Sequence, residues 1–248
     1  MSAEAVCEFL EWDSKFFGRR IGRVNGSRLS EELVSQIEGW CGRHRIECLY
    51  FLADATDGLT VRSAQANMFR FVDVRVTMDL RVEAIGDDKS AQAKVRDAGE
   101  DDIPKLRELA RDSHRDTRFY YDGNFSDSEC DKLYEEWIEK SCRGWADRVL
   151  VAEERGELCG YLTCHLRNAG SGQIGLVGVS EKARGKGIGI ELLSSAIQWF
   201  AKKEAENVSV VTQGRNVRAQ RFYQRCGFAT RSVEYWFHRW FLETRNTG

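Results

Sequence analysis

The sequence predicts a mixed α/β protein in two parts, a smaller N-terminal domain and a larger domain whose sheet has an antiparallel middle. Three observations carry that expectation. Segments of period-2 apolar alternation interchange with segments of helical period along most of the chain. A polar stretch rich in small residues, Glu83 to Lys94 (EAIGDDKSAQAK), interrupts the apolar pattern as a linker does, placing the domains at 1–88 and 89–248. The length of 248 residues suits two domains of ordinary size.

In chain order, VCEFLEW and IECLYFLAD read as strands, with helices expected over Glu31 to Cys41 and Val61 to Met68 and a long alternating strand in FRFVDVRVTMDLRVEA. In VRDAGEDDIPKLRELARD a short strand gives way to a helix. Glu100, Asp101 and Asp102 gather at its positive end, and Pro104 falls in the first turn, where its missing N–H costs least. A helix follows over Ser128 to Cys142, with Leu133, Trp137 and Ile138 on one face. The strands RVLVAEE and ELCGYLTCHLRN are joined by a turn at Arg155 and Gly156. After them the pattern gives strand Gly172 to Val179, helix Gly189 to Lys203, strand Asn207 to Thr212, helix Asn216 to Arg225 and a closing strand Phe228 to Trp240. The strand, helix, Phe-led strand order of LYFLADATDGLTVRSAQANMFRFVDVRVTMDL echoes VSVVTQGRNVRAQRFYQRCGFATRSVEYWF. Two readings fit that echo, a chance likeness of α/β segments and a decayed duplication whose first copy has no glycine-rich loop.

Composition excludes several classes. Basic and acidic residues balance, 37 against 39, so there is no global field for nucleic acid or anionic lipid. The N-terminus has acids where a signal peptide has a basic region, and no apolar run is long enough to cross a membrane. A cytoplasmic protein that binds neither nucleic acid nor membrane is expected. Eight cysteines form no CxxC pair and the four histidines are scattered, so small thiols are expected and no metal site.

KARGKGIGIELL is the one stretch with phosphate-binding chemistry. As a P-loop it fails, because Ser180 stands where the first glycine belongs, and as a dinucleotide fingerprint it fails at Ile190. What remains is Arg-x-x-Gly-x-Gly (Arg184, Gly187, Gly189) between a strand and a helix. Glycines at 185, 187 and 189 let backbone amides approach phosphate oxygens at a helix N-terminus, and Arg184 and Lys186 add cations. An ordinary basic turn capping a helix is the other reading.

The order of strand IGLVGVS, this loop, a helix, strand VSVVT and NVRAQRFYQRCGF resembles the GNAT superfamily of acyl-CoA-dependent N-acetyltransferases over about residues 94–240. The pairing of Arg-x-x-Gly-x-Gly with Asn-x-x-Ala-x-x-x-Tyr-x-x-x-Gly-Phe is fairly specific. The resemblance implies the GNAT fold, a mixed, largely antiparallel central sheet flanked by helices, with the N-terminal part readable as a decayed GNAT-like half. It implies acetyl-CoA as co-substrate and no metal. By position, the backbone of Val177 and Val179 pairs with the pantetheine arm and polarises the thioester. Arg184, Gly185, Lys186, Gly187, Ile188 and Gly189 hold the pyrophosphate, and Asn216 bonds the cofactor arm or its water. Tyr223 is the implied acid that protonates the departing thiolate; from the residues alone it is equally an inward aromatic beside Phe222 and Phe228.

The implied reaction is direct attack of an amine in a ternary complex, since Cys226 has no local His partner for a covalent route. For the base, His165 and a water chain both stand open, and His165 also reads as a structural strand histidine. The acceptor is expected at RFYYD: Arg118 on a phosphate, Tyr120 and Tyr121 stacked on a base or sugar, Asp122 on hydroxyls. The alternative is a plain loop whose aromatics pack on the sheet.

LEWDSKFFGRRIGR, the RFY and LYEEWIEKS segment, GYLTCHLRN and EYWF together resemble the TDP-fucosamine acetyltransferase group across nearly the whole chain. That resemblance implies a nucleotide-linked aminosugar as partner, acetylated on the 4-amino group of a dTDP-linked 4-amino-4,6-dideoxyhexose for surface polysaccharide. A homodimer is left open. An aminoglycoside or protein acceptor calls for an acidic groove, and a non-catalytic acyl-CoA binder has no need of Tyr223.

Overall fold

The computed structural model describes residues 6–82, 94–167 and 170–241. The expected boundary at 88/89 and Asn168 lie outside these residues. The described chain divides into two compact units: the first takes residues up to Arg75 with Tyr121–Asn124 and the chain from Val233, the second Val76–Tyr120 with Phe125–Ser232.

Unit 1 opens with β1 (Cys7–Phe9), where the sequence suggested a strand reaching Trp12. The chain turns at Leu10 into helix α1 (Glu11–Phe17), which stops at Gly18 in the left-handed region, φ 64°. Strand β2 (Ile21–Val24), too short to show in the apolar pattern, pairs antiparallel with β1. Helix α2 (Glu31–His44) starts where the Ser30 hydroxyl accepts from the Leu33 amide and buries Val34, Ile37 and Cys41, one helical stripe. Its return strand β3 (Cys48–Asp54) runs parallel to β2, and then come α3 (Gly58–Ala66) and β4 (Arg70–Arg81). The final strand β10 (Ala229–Trp240) pairs antiparallel with β3, from Cys48↔Trp240 to Asp54↔Glu234. Leu49, Phe51, Phe69 and Phe237 pack with the α2 stripe into one apolar core, which is why β3 is buried on both faces.

Unit 2 contains β5 (Lys94–Asp97), α4 (Ile103–Ser113), α6 (Asp127–Lys140), β6 (Arg148–Glu154), β7 (Glu157–Leu166), β8 (Ser171–Val179), α7 (Ile188–Lys202), β9 (Asn207–Gln213) and α8 (Val217–Arg225). Its strand order is β5-β6-β7-β8-β9-β4. All recorded pairings there are antiparallel except β8 with β9. Asp102 holds Arg96 and the Gly99 amide just before α4, so the acidic run makes a tight turn rather than the helix itself. Ser126 and Glu129 cap α6 reciprocally. That helix ends at Lys140 in a wide turn, Ser141–Trp145, with Gly144 at φ 102°, two residues earlier than the sequence suggested. RFYYD, expected as loop, winds into the short helix α5 (Arg118–Asp122).

One order of elements occurs twice. Apart from α1, which lies between β1 and β2, the series β1, β2, α2, β3, α3, β4 and β7, β8, α7, β9, α8, β10 follow the same sequence, with an antiparallel pair and then a parallel pair in each. In unit 1 the strand beside β3 is β10, and in unit 2 the strand beside β9 is β4. The likeness glimpsed over one strand-helix-strand segment therefore extends to six elements, which favours duplication over chance.

Candidate active site

The parallel register of β8 with β9 runs from Ser171↔Asn207 to Ile174↔Val210 and ends there, while β8 continues to Val179 and β9 to Gln213. On its other side β8 stays paired with β7, through a bulge at Leu162 to Cys164 where the Thr163 hydroxyl accepts the Leu176 amide at 2.8 Å. Strand Gly175 to Val179 thus has an edge not in register with β9, and extended backbone polar groups at such an edge are ready to pair with an amide-bearing ligand. Val177 and Val179 lie on this stretch, each half-buried.

Past Val179 the chain makes a tight turn, Glu181–Ala183, and enters the glycine loop. Gly185 and Gly187 sit at φ 79° and 84°, and Gly187 is the N-cap of α7. Left-handed backbone at alternate positions turns successive amides toward one side, at the positive end of a 15-residue helix. The Ile188 side chain is buried and fixes the first turn, and Gly189 brings α7 against α8: a Cβ there would lie 3.4 Å from the Phe222 ring. Arg184 donates from Nε to the Val179 carbonyl at 3.2 Å. Lys186, expected as a free cation for phosphate, is held by Glu154 at 2.7 Å, so its charge is partly answered within the protein.

Helix α8 begins at Asn216, whose Oδ1 accepts the Ala219 amide at 3.0 Å. This cap orients the helix that carries Tyr223. The Tyr223 ring is buried between Phe222 and Phe228, at centroid distances of 5.1 and 5.6 Å. Burial pushes its phenol well above the ordinary tyrosine range, so it keeps its proton at neutral pH.

Glycines at 175 and 178 let β7 side chains lie directly over β8. A Cβ on Gly175 would stand 2.6 Å from His165 Nε2, and one on Gly178 would stand 2.4 Å from Tyr161 Cε1 and 2.7 Å from Ser113 Oγ. His165 is buried, 3.3 Å from the Thr163 hydroxyl, with the exposed Trp145 ring edge-on at 5.5 Å. Burial, with Arg167 adding to it, holds its imidazole below the usual range. His114, just beyond α4, meets Tyr161 Oη at 2.8 Å and stacks on Tyr134 at 4.6 Å. Burial brings His114 down to about 4. Neither Tyr161 nor His114 stands out in the sequence. The signal was a pair of glycines inside a strand, which marks a close approach without naming what approaches.

The residues of the acceptor segment divide. In unit 2, Tyr120 donates to Asp131 Oδ1 at 2.7 Å and lies nearly parallel to Tyr134, and the Arg118 guanidinium packs over Phe119 at 4.2 Å. In unit 1, Tyr121 is 53% exposed, but Asp122 is 1% exposed. Its carboxylate accepts from His238 Nδ1, from Trp240 Nε1 at 3.0 Å and from the Asn124 side chain at 2.7 Å. Burial raises the Asp122 carboxyl, but these three bonds outweigh it and leave it below the usual carboxylate range. Asp122 is therefore turned inward, where the sequence reading had it facing a sugar hydroxyl.

A parted β8 and β9, a glycine turn at the N-terminus of α7 and a buried phenol on the next helix make up the candidate site. Residues 103–228 match the Acetyltransferase (GNAT) family, and the chain belongs to that family, as an N-acetyltransferase. It is 27% identical over 241 residues to the dTDP-fucosamine acetyltransferase of Escherichia coli O6:H1, a likeness covering 96% of this chain and 100% of that protein. Over 139 residues it is 32% identical to the spore coat polysaccharide biosynthesis protein SpsD of Bacillus subtilis, covering 56% of this chain. The match takes in 48% of that relative, about half its length. In fold it is similar to a functionally unknown conserved protein of Staphylococcus epidermidis, with a TM-score of 0.72 at 15% identity over 98% of this chain and 94% of the other. Among the described residues no helix is long and apolar enough to cross a membrane.

Proposed function

We propose that the chain transfers the acetyl group of acetyl-CoA to the 4-amino group of a dTDP-linked 4-amino-4,6-dideoxyhexose, by direct attack in a ternary complex, for surface polysaccharide. One observation carries the choice of acceptor. The likeness to dTDP-fucosamine acetyltransferase covers 96% of this chain, and so includes unit 1, most of which lies outside the family match at 103–228.

The donor side follows from unit 2. Amides of Gly185 to Gly189 take the pyrophosphate at the N-terminus of α7, with Arg184 beside them. Backbone groups at Val177 and Val179 pair with the pantetheine arm, and an amide there polarises the thioester carbonyl as charge builds on its oxygen. Asn216 acts chiefly by capping α8 and so aiming Tyr223. With its phenol above the range of a coenzyme thiol, Tyr223 stabilises the departing sulfur by donating a hydrogen bond as negative charge accumulates.

On the acceptor side, within unit 2, Arg118 offers a cation for the diphosphate, and Tyr120 and His165 offer rings for the base and sugar. Asp122 contributes indirectly, by anchoring the end of α5 through His238 and Trp240. The test is thiol release from acetyl-CoA with a panel of dTDP- and UDP-linked aminosugars and the free sugars. Acetylation of dTDP-linked substrates in preference to free sugars is expected; turnover of proteins or free amines alone contradicts the reading.

A further inference from the structure

We infer that His114 is the base that removes the proton from the attacking amine, its ring held by Tyr161 and Tyr134 beside the strand that carries Val177 and Val179. The inference rests on the acetyl-transfer reading and adds the group that reading lacks.

Neighbouring groups hold the ring. The Ser113 hydroxyl donates to the Leu109 carbonyl at 2.6 Å, so its single proton is committed. His114 Nε2 meets the Tyr161 hydroxyl across a 2.8 Å contact. The role uses the tautomer in which Nε2–H donates to the Tyr161 oxygen, leaving the lone pair on Nδ1 as the proton acceptor. Stacking on Tyr134, whose own hydroxyl donates to Thr117 Oγ1 at 2.7 Å, fixes the plane of the ring.

Position supports the role. Tyr161 pairs with Gly178 across β7 and β8, between the two valines whose backbone meets the thioester, and Gly178 is the residue whose missing side chain makes room for Tyr161 and Ser113. His114 retains some exposure and begins the segment that leads into Arg118 and Tyr120. His165 lies over Gly175, further from Val177 and Val179 along the strand, with Thr163 at its Nε2. Burial keeps His114 neutral at physiological pH, which is the state a base requires.

The step balances without another reactant. The amine nitrogen bonds to the carbonyl carbon of the acetyl thioester, the C–S bond breaks, and the nitrogen's proton passes to His114 Nδ1 and then to solvent. The sulfur leaves as thiolate beside the Tyr223 hydroxyl and leaves the site as the thiol once protonated.

The experiment uses the full chain with acetyl-CoA and whichever amine of the panel the wild type acetylates fastest. In His114→Ala, turnover is expected to fall about 100-fold with the KM for acetyl-CoA little changed, and added imidazole should restore it in a concentration-dependent manner. His114→Gln, which fills the space but has no basic nitrogen, should lose turnover equally and gain nothing from imidazole. Tyr161→Phe should lose about threefold to tenfold, since it removes only the partner of Nε2. The inference is overturned if either His114 variant keeps more than about a third of wild-type turnover, or if His114→Ala binds acetyl-CoA normally yet is not rescued. A wild type that acetylates only another amine defeats the sugar-nucleotide reading, and the His114 arm is still read with that amine.

Discussion

Tyr223 and His114 divide the proton work of the proposed reaction, and each gives a separate prediction. Tyr223→Phe removes one hydroxyl from a ring already packed between Phe222 and Phe228, so the fold should hold. Its kcat should fall by roughly 100-fold with the acetyl-CoA KM unchanged, the pattern of an interaction made only in the transition state. For His114 the sign of the pH effect follows from a folded value of about 4, below the ordinary 6.5. Stability from keeping the ring neutral is complete above pH 6.5 and drains away as the pH falls toward 4. Urea titrations should show the wild type losing on the order of 2 kcal/mol more than His114→Gln across that window. Asp122 belongs to unit 1 and to stability. Asp122→Ala removes a carboxylate, itself 1% exposed, that bonds His238, Trp240 and Asn124, and should lower unfolding free energy by about 3 kcal/mol. The packing of Tyr223 with Phe222 and Phe228 is local and was legible in the sequence, but the other two pairings were not, because His114 meets Tyr161 across 47 positions and Asp122 meets His238 across 116.

The elements that position the site were legible for a local reason. α7 and α8 have helical periodicity, a glycine or Asn cap and a strand on either side, and their expected and observed limits differ by one residue at most. By contrast, α1 and β2 are short and α5 has five residues, so each has too few repeats of its period to read. Two glycines test the mechanics at this scale. Gly187→Ala meets nothing within 4 Å but must hold φ 84°, so its cost is backbone strain of about 1 kcal/mol. Calorimetry should find acetyl-CoA bound about tenfold more weakly, as the amides turn from the phosphate. Gly178→Ala is a different case, since the new methyl group would stand 2.4 Å from Tyr161. Overpacking should cost about 1–3 kcal/mol and displace Tyr161 from His114, so turnover should fall further than acetyl-CoA affinity.

For the whole molecule, repetition of the β-β-α-β-α-β order explains both the size of unit 1 and its silence. Where α7 begins with Gly187 and exposed amides, α2 begins at Ser30, whose hydroxyl takes the Leu33 amide. Arg28 in the preceding turn faces Asp54 and Asp57, at 3.8 and 3.7 Å, so the corresponding cation is answered within unit 1. Composition and motif spacing revealed the donor loop of one copy but not the extent of the repeat, because strand order depends on pairings between distant segments. The central claim, that this N-acetyltransferase serves a nucleotide-linked aminosugar, is tested most directly by acceptor-dependent thiol release from acetyl-CoA. The account predicts turnover with a dTDP-linked 4-amino-4,6-dideoxyhexose at least about tenfold above that of the same sugar without its nucleotide, since the diphosphate and base supply binding that the sugar alone lacks. Equal turnover of the free sugar, or acetylation confined to proteins and simple amines, would contradict it.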